Sequence, residues 1–293
     1  MKMEVIVMKL GECMGDNMWQ ISYDDKPTLY LVATPIGNMQ DMTFRAIDTL
    51  KKVDVVYSED TRQTKFLFAN FGIENRLITC NDINELTVAK KIVLSLSKGL
   101  NVALVSDRGT PIISDPGYKV VQLVQKAGYN VVSIPGACAL IPALITSGLE
   151  SESFLFLGFL NKKNIQKKLT SLVDEEHTLI FYESPHRVIS TLKLMYKIFG
   201  DRRVSISREI TKLHESIYRG YLKDAIKLES ICGEIVIVVE GNKNNYEIDM
   251  DLVLNVDIYV KNGLTLMEAI KKVAKDRSMP KSDVYNEYHR RKQ

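Results

Sequence analysis

The stretch Leu29-Tyr30-Leu31-Val32-Ala33-Thr34-Pro35-Ile36-Gly37-Asn38 decides the class of fold. Its first five residues are almost all apolar, the pattern of a short strand covered on both faces. Thr34 to Asn38 breaks the run with Pro and Gly. Thr43 to Lys52 then places Phe44, Ile47 and Leu50 at helical spacing. The order strand, turn, helix continues downstream. Val53–Ser58, Leu77–Cys80, Val102–Ser106 and Val131–Ile134 read as strands, separated by a helix ending near Gly72 and by helical stretches over 85–97 and 117–127. Such alternation predicts crossover connections and a mainly parallel sheet.

Working outward, the pattern changes at Gly148 to Ser153, where a second α/β series begins. Its strands are Phe154–Gly158, Thr178–Tyr182, Val204–Arg208, Ser216–Tyr218 and Ile235–Val239, and its clearest helices span about 186–197 and 221–229. Asn242 to Asn245 is a polar linker. Beyond it, Thr265-Leu266-Met267-Glu268 fits a capping box, in which hydroxyl and carboxylate satisfy orphan amides reciprocally. Lys281 to Arg291 is a second short helix. Residues 1–27 carry no sustained period and read as a flexible arm. The expected division is therefore 1–27 arm, 28–150 and 151–241 as two α/β domains, and 246–293 as a helical tail.

At 293 residues the chain is long enough for two domains. No apolar run is long enough for a membrane span, and the acids after Leu10 argue against a signal peptide. Four cysteines without a CxxC pair argue against a zinc site or a disulfide framework and favour a reducing, cytoplasmic setting. Four histidines show no metal-ligand spacing. A net charge of +3 neither demands nor excludes RNA.

The chemistry-bearing residues gather at strand ends. Ligands in open α/β sheets bind there, where loops and helix N-termini converge. Thr34 to Asn38 offers a glycine for close backbone approach, but an ordinary turn describes it as well, and it is not GxGxxG. Ser106-Asp107-Arg108-Gly109-Thr110-Pro111 with Ser114-Asp115-Pro116-Gly117 makes a long shaped loop, whose acids otherwise serve as helix caps. Pro135-Gly136-Ala137-Cys138-Ala139 suits packing against an aromatic ring or a tight helix start. Glu59-Asp60-Thr61-Arg62 suits either substrate binding or capping with a surface ion pair. Tyr182-Glu183-Ser184-Pro185-His186-Arg187 and Ser207-Arg208-Glu209-Ile210-Thr211-Lys212 close second-domain strands towards an inter-domain cleft. His186 alone suits a helix cap. His289 to Lys292 is a basic end that suits phosphate or a solvated tail.

At these loops the chain resembles the family of small-subunit ribosomal RNA cytidine-2′-O-methyltransferases, within the tetrapyrrole methylase superfamily. Seven segments carry the resemblance in order: residues 29–38, 58–62, 105–118, 134–139, 156–160, 181–187 and 207–215. Arg108 and Asn161 stand where the family pattern leads one to expect Ala and Pro. The resemblance implies two α/β domains of the tetrapyrrole-methylase type, a homodimer, and S-adenosylmethionine in the cleft between domains. Carried over by motif, cofactor contacts fall on Pro35, Gly37, Asp107, Gly109, Thr110, Ile113, Pro135, Gly136, Cys138, Ala139, Tyr182, Gly233 and Glu234. The implied substrate is 16S rRNA in the decoding region of the small ribosomal subunit.

Methyl transfer from a sulfonium is an in-line displacement that needs alignment and exclusion of water. A ribose hydroxyl is a poor nucleophile and needs a base or a charge stabiliser. Glu183, Glu209 and Lys212 are the candidates, with Arg62, Arg187 and Arg208 holding phosphates. Two rival classes stay open: a tetrapyrrole-type small-molecule methylase, and a non-catalytic RNA-binding module of the same fold.

Overall fold

The computed structural model describes residues 20–22, 24–243, 251–261, 263–277 and 279–292. The first apolar runs become β1 (Thr28–Val32), β2 (Val55–Ser58), β3 (Leu77–Thr79), β4 (Val102–Val105) and β5 (Asn130–Ile134). They form one sheet in the order β3-β2-β4-β1-β5, parallel throughout. Each crossover carries a helix: α1 (Phe44–Lys52), α2 (Thr61–Phe71), α3 (Glu85–Ser97) and α4 (Tyr118–Lys126). Ala46 and Leu50 of α1 and Leu67 and Phe68 of α2 cover one face. Val88, Ile92 and Leu96 of α3 and Val120 and Val124 of α4 cover the other. Both faces are therefore dry, which is why the strands carry no polar alternation. Gly72 ends α2 at φ 57°, a left-handed position that favours glycine.

A second sheet contains β6 (Phe154–Phe159), β7 (Thr178–Glu183), β8 (Arg203–Arg208), β9 (Ser216–Tyr221) and β10 (Ile235–Val239), in the order β6-β7-β10-β8-β9. Only β6 and β7 are parallel. The segment between β8 and β9 is too short for the dozen or more residues that a parallel crossover needs. α6 (Ile165–Thr170), α7 (Val188–Phe199) and α8 (Leu222–Ala225) cover one face of this sheet through Leu169, Leu192, Met195 and Leu222. α5 (Leu140–Ser147) covers the other. Its Leu140, Ala143 and Leu144 pack on Ile180, Val236 and Val238. A boundary at 150 would assign α5 to the first domain, yet its apolar face belongs to the second sheet.

The described residues up to 173, with 177–240, form one compact unit holding both sheets; 174–176 and the residues from 241 onward form a second. In the second unit, α9 (Leu252–Lys261), α10 (Leu266–Asp276) and α11 (Lys281–Lys292) enclose Val256, Ile270, Val273, Val284 and Tyr288. The Thr265–Glu268 capping box is present. The basic end pairs within this unit: Arg290 and Arg291 with Glu287, Arg291 with Asp251, and Lys292 with Asp257. Among the described residues, no helix is long and apolar enough to cross a membrane.

The arm expected over 1–27 needs correction at its end; residues 1–19 and 23 lie outside the described residues. The Gln20 side-chain amide donates to Val131 O at 2.9 Å and accepts from Val131 N at 2.8 Å. Asn130 Nδ2 donates to Ile21 O and to Asp24. β5 is an edge strand, and an edge presents unpaired amides and carbonyls. A glutamine side chain satisfies one of each without any apolar period, so a search for periodicity passes over it.

Candidate functional site

The loops leaving β1, β4 and β5 are tied together by backbone. Thr34 and Gly109 exchange two backbone hydrogen bonds, at 2.9 and 3.0 Å, in an isolated antiparallel bridge. Thr110 Oγ1 donates to Ala137 O at 3.0 Å. Gly136 lies so close to Ala33 that a Cβ would sit 2.8 Å from the alanine methyl. The loop after β4 holds Ile112 at φ 75° and Ser114 at φ 67°, conformations that L side chains rarely adopt. It also reaches the second sheet: a Cβ on Gly158, where β6 shifts register, would lie 2.7 Å from Ser114 Oγ.

These loops enclose a cavity of about 490 Å³ facing the ends of β7 and β10. Its apolar lining comes from Ile36, Ile113, Cys138, Ala139, Phe159, Ile210 and Val236. Its polar lining includes Gln63, Asp107, Ser114, Asp115 and Tyr182. Gly109 lines it at φ 83°. Burial pushes the Asp115 carboxyl up to about 7, with Glu59, Asp107 and Asp82 adding repulsion. Burial likewise raises Asp107, whose Oδ1 accepts from Asp60 N at 2.8 Å and Oδ2 from Gln63 Nε2 at 3.1 Å. Glu59 is raised by burial and then by Asp107. Burial raises the Tyr182 phenol, with Cys138 adding to the effect. A cationic ligand relieves such crowding of carboxylates. A sulfonium-bearing nucleoside such as S-adenosylmethionine fits this lining: apolar walls for a ring, a close backbone approach at Gly109, and acids for positive charge. The volume lies within the usual range of small-molecule sites.

A second crevice, of about 680 Å³, adjoins the first and shares Gln63, Asp107 and Arg108 with it. Pro35, Gly37, Met39, Arg62, Phe66 and Lys212 also line it. Lys212 Nζ donates to Glu209 Oε1 at 2.9 Å and to Glu234 Oε2 at 3.0 Å. Arg108 pairs with the other oxygen of Glu234. Glu209 Oε1 also accepts from Glu234 N at 2.8 Å. Glu209 and Thr211 stand at φ 52° and 69° in this tight turn. Gly233, at φ 92°, leaves room for the Glu209 carboxylate, since a Cβ there would lie 2.5 Å from Oε1.

The residues expected from sequence divide as follows. Asp107, Gly109, Thr110, Ile113, Cys138, Ala139, Tyr182, Gly233 and Glu234 line the first cavity. Pro35 and Gly37 line the second crevice instead. Pro135 and Gly136 are exposed and line neither. Glu183 borders the first cavity, but its side chain is 1% exposed. Its carboxylate accepts from Thr191 Oγ1 at 2.6 Å and Ser184 N at 2.8 Å and pairs with Arg187. Arg187 also donates to Leu160 O. Arg208 donates to Ser216 Oγ and Cys232 O. These two arginines, expected to hold phosphate, each engage part of their guanidinium within the second sheet and its loops, and neither lines the two cavities. Arg62 stays in the crevice, 89% exposed, forked onto Asp60. That pairing holds the Asp60 carboxyl down at about 2, and Asp60 also caps α2.

Several site residues escape sequence reasoning. Of the two readings open for Asp115, site acid and helix cap, the cap is not realised, since α4 is capped from afar: Glu85 Oε1 accepts from Gly117 N and Lys119 N. His186 does not cap α7 either, since Arg187 occupies the N-cap. Gln63 and Phe66 carry no motif signal, and Phe159 lies in the 156–160 segment without being marked as a site residue; only folding brings the three to the cavities.

The sequence family described as Tetrapyrrole (Corrin/Porphyrin) Methylases matches residues 28–226. The chain is 48% identical over 277 residues to Ribosomal RNA small subunit methyltransferase I of Halalkalibacterium halodurans, covering 91% of this chain and 96% of that protein. It is 46% identical over 286 residues to the protein of the same name in Bacillus subtilis, covering 92% and 98%. The Haemophilus influenzae protein of that name is 41% identical over 268 residues, with 88% and 94% covered. Among solved structures, the chain is similar to uroporphyrin-III-C-methyltransferase from Thermus thermophilus, with TM-score 0.55, 18% identity, and 73% and 94% covered. It is also similar to the methyltransferase CobJ, with TM-score 0.57, 15% identity, and 74% and 95% covered. At such identity the structural likeness bears on the fold alone.

Proposed function

Because the chain belongs to the tetrapyrrole methylase family, in the branch of the small-subunit ribosomal RNA methyltransferases I, we propose that it methylates the ribose 2′-hydroxyl of a cytidine in 16S rRNA, in the decoding region of the small ribosomal subunit. The observation that carries this reading is Lys212. Its ammonium is fixed by two carboxylates, at 2.9 and 3.0 Å, at the edge of a crevice that adjoins the cofactor-sized cavity.

S-adenosylmethionine is the cofactor, and it supplies an electrophilic methyl group on sulfur. The first cavity would hold it through Gly109, Asp107, Cys138, Ala139 and Tyr182. Asp107 and Asp115 provide negative charge for a cationic ligand. In the acceptor, the O–H bond of the ribose must break as oxygen bonds to the methyl, and the methyl–sulfur bond would break with its electron pair left on sulfur. A fixed ammonium beside that oxygen stabilises its developing negative charge. Lys212 supplies it, held by Glu209 and Glu234, and Glu209 is the carboxylate proposed to take the proton. Glu183 holds the β7 loop through Thr191 and Arg187 and is a positioning residue. Apolar Ile36, Ile210 and Val236 limit water in the donor cavity. On the same reading the enzyme is cytoplasmic and works as a homodimer.

The test is incubation with labelled S-adenosylmethionine and small subunits that lack the modification, followed by nucleotide mapping. Label on the ribose of one cytidine is the expected result. Label on a base, or only on a tetrapyrrole offered in parallel, overturns the reading.

A further inference from the structure

The second crevice also carries an arrangement of apolar and cationic groups that the methyl-transfer chemistry does not use. Phe66 is 64% exposed, although α2 buries Leu67 and Phe68 in the core beside it. Met39, on the 3₁₀ turn Met39–Asp41, is also exposed, and both side chains line the crevice. The remaining wall includes Arg62 and Arg108. The space, about 680 Å³, meets the donor cavity at Gln63, Asp107 and Arg108.

We propose that this crevice seats a single unstacked nucleotide of the RNA acceptor, its base against Phe66 and Met39 and its phosphate between Arg62 and Arg108. The inference rests on the RNA reading given above. Bases splayed out of an RNA helix stack on aromatic side chains whatever their identity, and phosphates take arginine forks. A ribose between base and phosphate then lies along the wall shared with the donor cavity, which is the placement that methyl transfer requires.

The pairing of Glu234 makes the exchange feasible. Its two oxygens take Arg108 and Lys212 separately. When a phosphate draws Arg108 away, Glu234 keeps its contact with Lys212, which it shares with Glu209. Arg108 and Glu234 are both about half exposed, so their pairing is of the weak, solvent-screened kind. Arg62 lies at the mouth and needs only to swing from Asp60.

The experiment measures steady-state methylation of unmodified small subunits at several salt concentrations, with cofactor affinity and sedimentation as controls. Cytidine 5′-monophosphate serves as a competing probe. Phe66→Ala is expected to raise the KM for subunits about ten-fold, the usual scale of one lost stacking contact. It should leave cofactor affinity unchanged and abolish inhibition by the mononucleotide. Phe66→Trp should restore both KM and inhibition. Arg108→Ala should raise KM and reduce the salt slope by about one phosphate contact. Both side chains are exposed, so the variants should melt as the parent does. Unchanged KM and salt slope in both variants, with normal transfer by the parent, overturn the nucleotide seat alone. A shift in sedimentation on Phe66→Ala also overturns it and assigns the ring to contact with a second copy. Failure of the parent to methylate subunits overturns the RNA reading itself, and it shows before any variant is examined.

Discussion

Replacing Gly37 with Ala isolates the placement of Lys212. A Cβ at Gly37 would lie 2.5 Å from Lys212 Cγ and 3.0 Å from Cε. Carbon atoms rest at about 3.5–4.0 Å, so the lysine stem must retreat by roughly 1 Å. Nζ sits 2.9 and 3.0 Å from Glu209 and Glu234; a displacement of that size takes it out of hydrogen-bond range of at least one of them. Misplacing a reacting group by about 1 Å can lower a rate about 100-fold. The flexible stem can recover part of the shift, so methyl transfer should fall about 10- to 100-fold. Stability should barely change. Gly37 is outside the left-handed region, so Ala is compatible with its backbone and stabilises by about 0.4–1 kcal/mol through the unfolded chain. The weakened ion pairs are worth about 0–1 kcal/mol. Urea unfolding should therefore agree with the parent to within about 1 kcal/mol. Gly37 lines the second crevice and not the first cavity, so calorimetry should find the cofactor affinity preserved. Single-turnover transfer should show the loss, and Gly37→Ala should add nothing on a Lys212→Ala background. Equal slowing in both backgrounds, or loss of cofactor binding, would refute the route through Lys212.

Three further perturbations test other parts of the argument. Gly109→Val forces a β-branched residue to φ 83° with its Cβ 3.1 Å from Ile36 Cγ2, a strain of about 1–3 kcal/mol; calorimetry should find cofactor binding lost, and normal affinity in a folded variant would place the cofactor elsewhere. A carboxyl raised to about 7 binds its proton more tightly in the folded chain than in the unfolded one, so Asp115 removes stability as pH climbs from the ordinary carboxylate range through about 7. Asp115→Asn should therefore gain in melting temperature over the parent between pH 5 and pH 8, and a gap independent of pH would contradict this. A chain beginning at Thr28 should be less stable than one beginning at Gln20 by about 1–3 kcal/mol, from the lost hydrogen bonds to β5; equal denaturation midpoints would mean that the Gln20 contact contributes nothing.

The sequence by itself determined the elements and the loops. Apolar runs such as Leu29 to Ala33, bounded by turns, read as strands covered on both faces, and the Gly and Pro turns after them mark where backbone can approach a ligand. Seven ordered segments were enough to point to the family and its cofactor, and Gly109, Asp107, Cys138 and Tyr182 do line one cavity. Roles within that set were not legible, because a role depends on partners distant in the chain. Glu183 and Lys212 look alike as charged residues after second-sheet strands. Folding encloses the first among Thr191, Ser184 and Arg187 and leaves the second on a crevice wall. Arg187 and Arg62 part company for the same reason, one turned to a carbonyl inside and the other to solvent. Asp115 follows a Gly/Pro turn where local rules leave both a site acid and a helix cap open. Its environment comes from Glu59, Asp82 and Asp107, which three different loops bring together. Periodicity and turn chemistry act over a few residues and can be read from the chain. Burial and charge at a site act across the sheet ends, so only the tertiary structure fixes which of these side chains faces a ligand.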